Sequence, residues 1–327
     1  MEIYLFGCKD TSLHVLRFLK KEKITIHLVT IGEDLAKKND VAGYLNLLDY
    51  RDVYDSIYVA ESYNLKNEND MEYFKKLENC ELGFCVGWQR LIPDHVLDKF
   101  VFGIHGMHGS ARDLPYGKGR SPMNWAIIED KKFFYTNLFK YETGVDNGPI
   151  VDRAIFSINK NDTAESLHYK NVLSMCHLIQ KNLLSLKEGK VIYKDQNLEH
   201  GESFYPKRNP DDGRIDWKDD IHNIERLVRS VSPPFYGAIA YLDTKEIRIY
   251  NSQIFFTDLE GHPFKKNRIG EILDIFPNGK FLVRCSNGVL LINEYEGYDP
   301  IEGKVFEEQE SPFTRFLRNQ YGDFDIN

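Results

Sequence analysis

The first 31 residues hold the feature that most constrains the fold: an apolar run, "EIYLF", a patterned stretch, "DTSLHVLRFLKKEK", and a second apolar run, "ITIHLVTI". The middle stretch opens on Asp10, Thr11 and Ser12 and repeats apolar residues at Leu13, Leu16 and Leu19, the spacing of a helix with one buried face. Short, continuously apolar runs read as strands buried on both faces. Strand, helix and strand in that order make a right-handed crossover and a parallel sheet. "LGFCVGW" (82–88) and "FVFGIHGM" (100–107) read as two further strands, with a short helix opened by Pro93 between them. Functional residues of such sheets collect beyond the carboxyl ends of strands, which is where this reading puts His108.

A dinucleotide fold would carry G-x-G-x-x-G after the first strand, whereas Gly7 alone precedes "CKDTS" here, so NAD is set aside. Ser121 is placed to cap a helix through "MNWAIIED", with Pro122 in its first turn. "FFYTNLFKY" and "IVDRAIFSI" read as strands around the turn-rich "ETGVDNGP". Asp162 with Glu165 reads as a capping box for a long helix that follows. From about Lys190 to Asp216 the chain is polar and turn-forming, the character of an exposed connection. One helix near "DDIHNIERLVRSV" and short β-rich pieces divided by "PNG" and "SNG" turns come after it. The expected fold class is α/β: a Rossmann-like, mostly parallel sheet flanked by helices over residues 1–200, and a smaller β-rich domain, an open OB-like barrel, over 201–327.

A chain of 327 residues that is 42% apolar has material for two cores. Its formal net charge of −8 argues against nucleic acid or an anionic membrane as a partner held by broad electrostatics, because those surfaces require a basic face. Five cysteines at irregular spacings make neither metal-site pairs nor a disulfide framework and read as reduced, mostly buried thiols. No metal site is expected, since the histidines show no H-x-x-x-H spacing on a helix. The N-terminus lacks a charged segment followed by a long apolar one, and no run of about 18 apolar residues occurs. A soluble, cytoplasmic protein is the expectation.

The stretch "HGMHGSARDLPYGKGRSPMNW" (105–125) concentrates chemistry-bearing residue types. Gly106 and Gly109 flank His108 and let backbone approach a ligand closely while the ring stays available. Alone, that pattern favours a structural histidine. Read together, "HGS...LP...GRSPMNWAI" and "FFYTNLFKYETGVDNGPIV" resemble the formyltransferases that use N10-formyltetrahydrofolate, whose pattern runs N-x-H-x-S, L-L-P, R-G-x-x-P, T-G and D-x-G-x-I. "CVGWQRLIP" resembles the segment before that family's pterin site. "RNPDDGRIDW" with "IERLVRSVSPPFYGAIAYL" resembles the C-terminal region of its nucleotide-sugar members.

The resemblance implies residue roles. The catalytic histidine falls on His108 and the catalytic aspartate on Asp146, which local pattern alone reads as a turn residue in "VDNG". The family's asparagine, a donor to the formyl oxygen as negative charge builds there, falls on Gly106. A backbone N–H exposed by Gly106, or the side chain of Asn124, would have to substitute. Two residues are inserted between Ser110 and Leu114-Pro115, and Lys118 stands where arginine is usual. A register with His105 in the catalytic place puts Gly103 at the asparagine position and leaves Met107 where Ser110 otherwise matches, so His105 is expected within or against the strand. The implied chemistry is attack of an amine on the formyl carbon, with His108 as general base and Asp146 orienting its ring. The pterin is expected against Gln89, Arg90, Leu91 and Ile92 and against the loop carrying Tyr141, Glu142 and Val145. Ser110, Arg120, Asn124 and Arg208 are the candidate acceptor contacts.

The acceptor has to be argued separately, since one catalytic domain serves many. A methionyl-tRNA formyltransferase must hold a polyanion, and residues 201–327 carry more acidic than basic side chains. The C-terminal resemblance instead implies the amine of a nucleotide-linked amino deoxy sugar, as in polysaccharide biosynthesis, and a homodimer. The alternatives are tRNA formylation and a non-catalytic relative that binds folate or sugar nucleotide.

Overall fold

The computed structural model describes residues 2–309, 316–319 and 323–324. In chain order its elements are β1 (Glu2–Phe6), α1 (Asp10–Lys21), β2 (Thr25–Ile31), α2 (Glu33–Lys38), β3 (Ser56–Ala60), α3 (Glu68–Lys76), β4 (Leu82–Cys85), α4 (Asp94–Leu97), β5 (Ile104–Ser110), β6 (Lys118–Gly119) and α5 (Pro122–Ile128). There follow β7 (Phe133–Lys140), β8 (Ile150–Ser157), α6 (Ala164–Lys187), β9 (Phe204–Tyr205), α7 (Ile221–Ser230), β10 (Ala238–Leu242), β11 (Lys245–Thr257), β12 (Ile272–Ile275), β13 (Phe281–Cys285) and β14 (Gly288–Gly297). They divide into two compact units. One takes Met1–Lys118, Tyr135–Phe156 and Tyr169–Glu202; the other takes Gly119–Phe134, Ser157–His168 and Ser203–Asn327. Two segments assigned to the first domain on sequence thus cluster with the C-terminal unit, where α5 packs on α7.

The first unit is built on a seven-stranded sheet in the order β3-β2-β1-β4-β5-β7-β8. Its first five strands run parallel, and β7 joins β5 antiparallel. Alternation along β1 explains both cores. Ile3 and Leu5 meet Leu13, Leu16 and Leu19 of α1 and Met175, Leu178 and Ile179 of α6, while Tyr4 and Phe6 meet Phe74 of α3 and Val96 of α4. Gly7 ends β1 because a Cβ there would lie 2.3 Å from Ser12 Oγ and 2.4 Å from the Val86 carbonyl. It serves a tight strand-to-helix turn.

The second unit holds an antiparallel sheet in the order β10-β11-β14-β13-β12. Beyond β14, Lys304 accepts from the Ile272 N–H, Phe306 donates to the Gly270 carbonyl, and Glu307 donates to the Tyr241 carbonyl on β10. One short segment therefore bonds beside both ends of the sheet and joins its two edges, the β-rich architecture expected of 201–327. All five cysteines are free thiols. Among the described residues no helix is long and apolar enough to cross a membrane.

Local details differ from the sequence reading. Ser121 does sit before α5, but in the left-handed region (φ 55°) without a side-chain cap, and its Oγ accepts from Arg208 N at 3.4 Å instead. Ahead of α6, the side chains of Thr163 and Ser166 each accept the other's backbone N–H. Asp162 accepts from Asn159 N and Ser166 Oγ. The polar connection is mostly exposed to residue 202 and mixed beyond it: Lys207, Asn209, Pro210 and Asp211 are exposed, whereas Ser203, Tyr205, Asp212 and Ile215 are buried.

Strand β5 also runs three residues further than expected, to Ser110, and its alternation sends the two histidines to opposite faces. His105 enters the α1/α6 side, fully buried, beside Phe84 at 6.3 Å and with Nε2 3.0 Å from Tyr193 Oη. Burial, with the nearby Lys140 cation, holds its pKa down to about 3. Since the unfolded ring takes its proton near pH 6.5 and the folded ring only near 3, acidification through that window pulls the chain toward the unfolded state. We expect the stability advantage of the wild type over His105→Leu, from urea unfolding, to shrink as pH falls from about 6.5 toward 3. A difference independent of pH would contradict this.

Candidate functional site

The site forms where two strands part company. Parallel pairing of β4 with β5 stops at Cys85 opposite Gly106, but antiparallel pairing of β5 with β7 continues through His108 opposite Asn137 to Ser110 opposite Tyr135. His108 is thus inside a strand and at the same time beyond the carboxyl end of β4, in the open notch where ligands of such sheets bind. His108 is 8% exposed. The strand fixes its direction more firmly than a loop could.

Asp146 arrives from the loop between β7 and β8, its Oδ2 3.3 Å from His108 Nδ1. It adopts φ 50°, a left-handed conformation that Asp tolerates better than most side chains. Gln196, inside the segment read as a linker, donates through Nε2 to the carbonyls of Asp146 (2.7 Å) and Gly148 (2.9 Å) and so fixes this turn. Thr143 Oγ1 donates to Asp94 Oδ1 at 2.9 Å, tying the same loop to the start of α4. Buried Lys118 donates to Asn147 Oδ1 and pairs with Glu202, both at 2.7 Å. Sequence patterns carried no signal for Gln196, because its role depends on a loop 48 or more residues away.

On the other side of the ring, His108 Nε2 lies 2.8 Å from the Gly117 carbonyl. Both ring nitrogens face acceptors, so a ring with one proton bonds only one of them. To take a proton through Nε2, His108 must exchange the Gly117 carbonyl for a substrate group, with Asp146 holding the other nitrogen as donor.

The remaining residues named from sequence fall in four places. Gln89 to Ile92 follow β4: Gln89 N donates to Tyr63 Oη at 2.9 Å, Arg90 lies 5.0 Å over the Tyr63 ring, Leu91 is 52% exposed and Ile92 is buried. Tyr141, Glu142 and Val145 lead into the Asp146 turn, with Val145 exposed. Ser110 is buried at the end of β5 and accepts from Arg112 N. Arg120, Asn124 and Arg208 belong to the second unit. There Asn124 is buried and donates to the Ser230 carbonyl at 2.6 Å, Arg208 lies 5.2 Å over the Trp125 ring, and Arg120 is exposed. Sequence reading missed Asn137, which faces His108 across the ladder with both amide atoms buried and without hydrogen-bond partners.

Comparison with known proteins adds the family. Residues 7–176 match the model of the formyl transferase family, and residues 207–309 match the formyl transferase C-terminal domain. A bifunctional polymyxin resistance protein, ArnA, of Wigglesworthia glossinidia brevipalpis is 30% identical over 193 residues, 59% of this chain and 29% of that protein. Among solved structures, HypX of Aquifex aeolicus in complex with tetrahydrofolic acid superposes with a TM-score of 0.61 at 15% identity, over 95% of this chain and 46% of that one. The chain therefore spans less than half the length of either protein. An N-formyltransferase of Helicobacter canadensis, in complex with folinic acid and dTDP-3-aminofucose, gives 0.60 at 18% identity, over 90% of this chain and 99% of that one. These structural likenesses are of fold. With the N-terminal family model covering more than half the sequence, the chain belongs to the formyl transferase family.

Proposed function

We propose that the protein transfers the formyl group of N10-formyltetrahydrofolate to the amine of a nucleotide-linked amino deoxy sugar. The observation that carries the reading is the pairing of His108 with Asp146 at the open end of β4. Family membership supports formyl transfer. The Helicobacter relative with its folate and dTDP-linked amino sugar, and the sugar 3N-formyl transferase WlaRD with dTDP and 5-N-formyl-THF, support the acceptor class.

The chain's own residues suit a flat heterocycle beside His108. Exposed Leu91 and Val145 offer apolar surface on the two loops that follow β4 and β7, and the Thr143–Asp94 bond holds those loops together. The folate is a substrate here and supplies the activated formyl group. His108 takes the proton that the attacking amine must lose, and Asp146 orients the ring and balances its positive charge. Gln196 positions Asp146 through its hydrogen bond to the Asp146 carbonyl.

Three outcomes test this reading. Mass spectrometry of UDP-, dTDP- and GDP-linked amino sugars incubated with protein and N10-formyltetrahydrofolate should find formyl added to one of them. Efficient formylation of methionyl-tRNA with no sugar reacting would overturn the acceptor assignment. His108→Asn and Asp146→Asn should keep the fold and lower kcat on the order of 10²- to 10⁴-fold; near wild-type turnover in either would remove that residue from the mechanism. Gln196→Ala should lower kcat about 10- to 10²-fold by loosening the Asp146 turn, with circular dichroism unchanged. Full activity in that variant would show that the turn holds its shape without Gln196.

A further inference from the structure

Acyl transfer of this kind builds negative charge on the formyl oxygen, and a positioned donor for that oxygen is among the largest contributions a site can make. Strand alternation and cross-strand pairing put position 106, Phe139, His108 and Asn137 on one face of the β5–β7 ladder, the face toward the notch. Position 106 is glycine and offers no side chain. The room it leaves is filled: a Cβ built there would lie 2.2 Å from Tyr141 Cε2, 2.8 Å from Cζ and 3.0 Å from Cδ2. Cζ carries the hydroxyl, so the phenol end of Tyr141 occupies the space that a side chain at 106 would enter.

Building on the formyl-transfer reading, we infer that the Tyr141 hydroxyl donates the hydrogen bond to the formyl oxygen, in the place left open by Gly106. Tyr141 is anchored for this. Its N–H donates to the Ile104 carbonyl at 2.8 Å, extending the β5–β7 ladder, and its ring lies 5.4 Å from that of Phe139. It also opens the loop that carries Asp146, so donor and carboxylate move as one piece of backbone. Burial raises its pKa well above the usual phenol value, and the neighbouring Cys85 and Asp146 add to the shift, so the hydroxyl keeps its proton. Cys85, pushed up to about 12 by its own burial, stays a neutral thiol beside it.

Other donors are less suited. The Asn124 amide is bonded to the Ser230 carbonyl. The amide atoms of Asn137 are shut off from solvent, so a ligand oxygen has no path to them in this arrangement. A phenol is a recognised donor to such oxygens.

The step balances with these groups. The amine lone pair forms the new carbon–nitrogen bond as the carbonyl π pair moves onto oxygen, where Tyr141 donates a hydrogen bond and keeps its proton. His108 removes the amine proton. When the oxygen pair re-forms the carbonyl, the bond from the formyl carbon to N10 breaks, and N10 leaves with that pair and takes the proton from His108. A formamide and tetrahydrofolate result, with both side chains returned to their starting states.

The test is release of tetrahydrofolate from N10-formyltetrahydrofolate in the presence of the amino-sugar nucleotide panel, with affinity for 5-formyltetrahydrofolate measured separately by calorimetry. Tyr141→Phe should lower kcat on the order of 10²- to 10³-fold and leave that affinity unchanged. Tyr141→Ala should lose activity likewise and also vacate the space. Adding Gly106→Asn to it should recover at least about tenfold, as an amide takes up the donor role. Wild-type turnover retained by Tyr141→Phe, or failure of the double variant to improve on Tyr141→Ala, would overturn the inference. So would loss of activity confined to Asn137→Ala. If the wild type itself releases no tetrahydrofolate, the formyl-transfer reading fails and this one with it; turnover that His108→Asn abolishes and Tyr141→Phe spares sinks this inference alone.

Discussion

The antiparallel ladder between β5 and β7 is the interaction on which the site depends. Parallel pairing alone would end with β4 at Cys85, and residues after Gly106 would continue as an unsupported loop. Because β7 approaches from the other side and pairs as far as Ser110 opposite Tyr135, His108 is held by backbone hydrogen bonds while the side of β5 toward β4 stays open. One strand thus offers rigidity on one edge and access on the other. On the proposed role of His108 as general base, its ring benefits from both.

The same ladder delivers the rest of the machinery. β7 ends at Lys140, and Tyr141 and the Asp146 turn follow directly, so the loop starts from a fixed point and needs few further restraints. Those it has are polar and come from far along the chain: Gln196 on the Asp146 and Gly148 carbonyls, Asp94 on Thr143, Lys118 between Asn147 and Glu202. Together they hold in place a loop built around a left-handed aspartate. Lys118 is 1% exposed and paired, so it acts as a strut for this loop.

Gly106 and Tyr141 show how a local sequence change acquires meaning only in space. Glycine at a strand position usually weakens the strand, and its value here is the room it gives an aromatic ring. The two residues are 35 positions apart, adjacent only because β7 folds back along β5. Two neutral groups, a phenol and a thiol, then meet at the open end of β4, where burial keeps both protonated.

What the sequence determined by itself is what short-range pattern can encode. The apolar runs at 2–6 and 25–31, the helix between them and the turn-divided strands after residue 237 gave the parallel sheet and the β-rich unit, because alternation and helical spacing reflect which faces are buried. Local pattern alone left His108 structural and Asp146 a turn residue; the resemblance to the formyltransferases singled out these two, which the structure brings within 3.3 Å. Tertiary structure decided the rest. It extended β5 through His108 by pairing it with β7, separated His105 from His108 onto opposite faces, drew 119–134 and 157–168 into the second unit, and gave Gln196 its place against the Asp146 turn. Every one of these depends on contacts between residues distant in the chain, whose hydrogen bonds and packing leave no periodic trace in either segment alone.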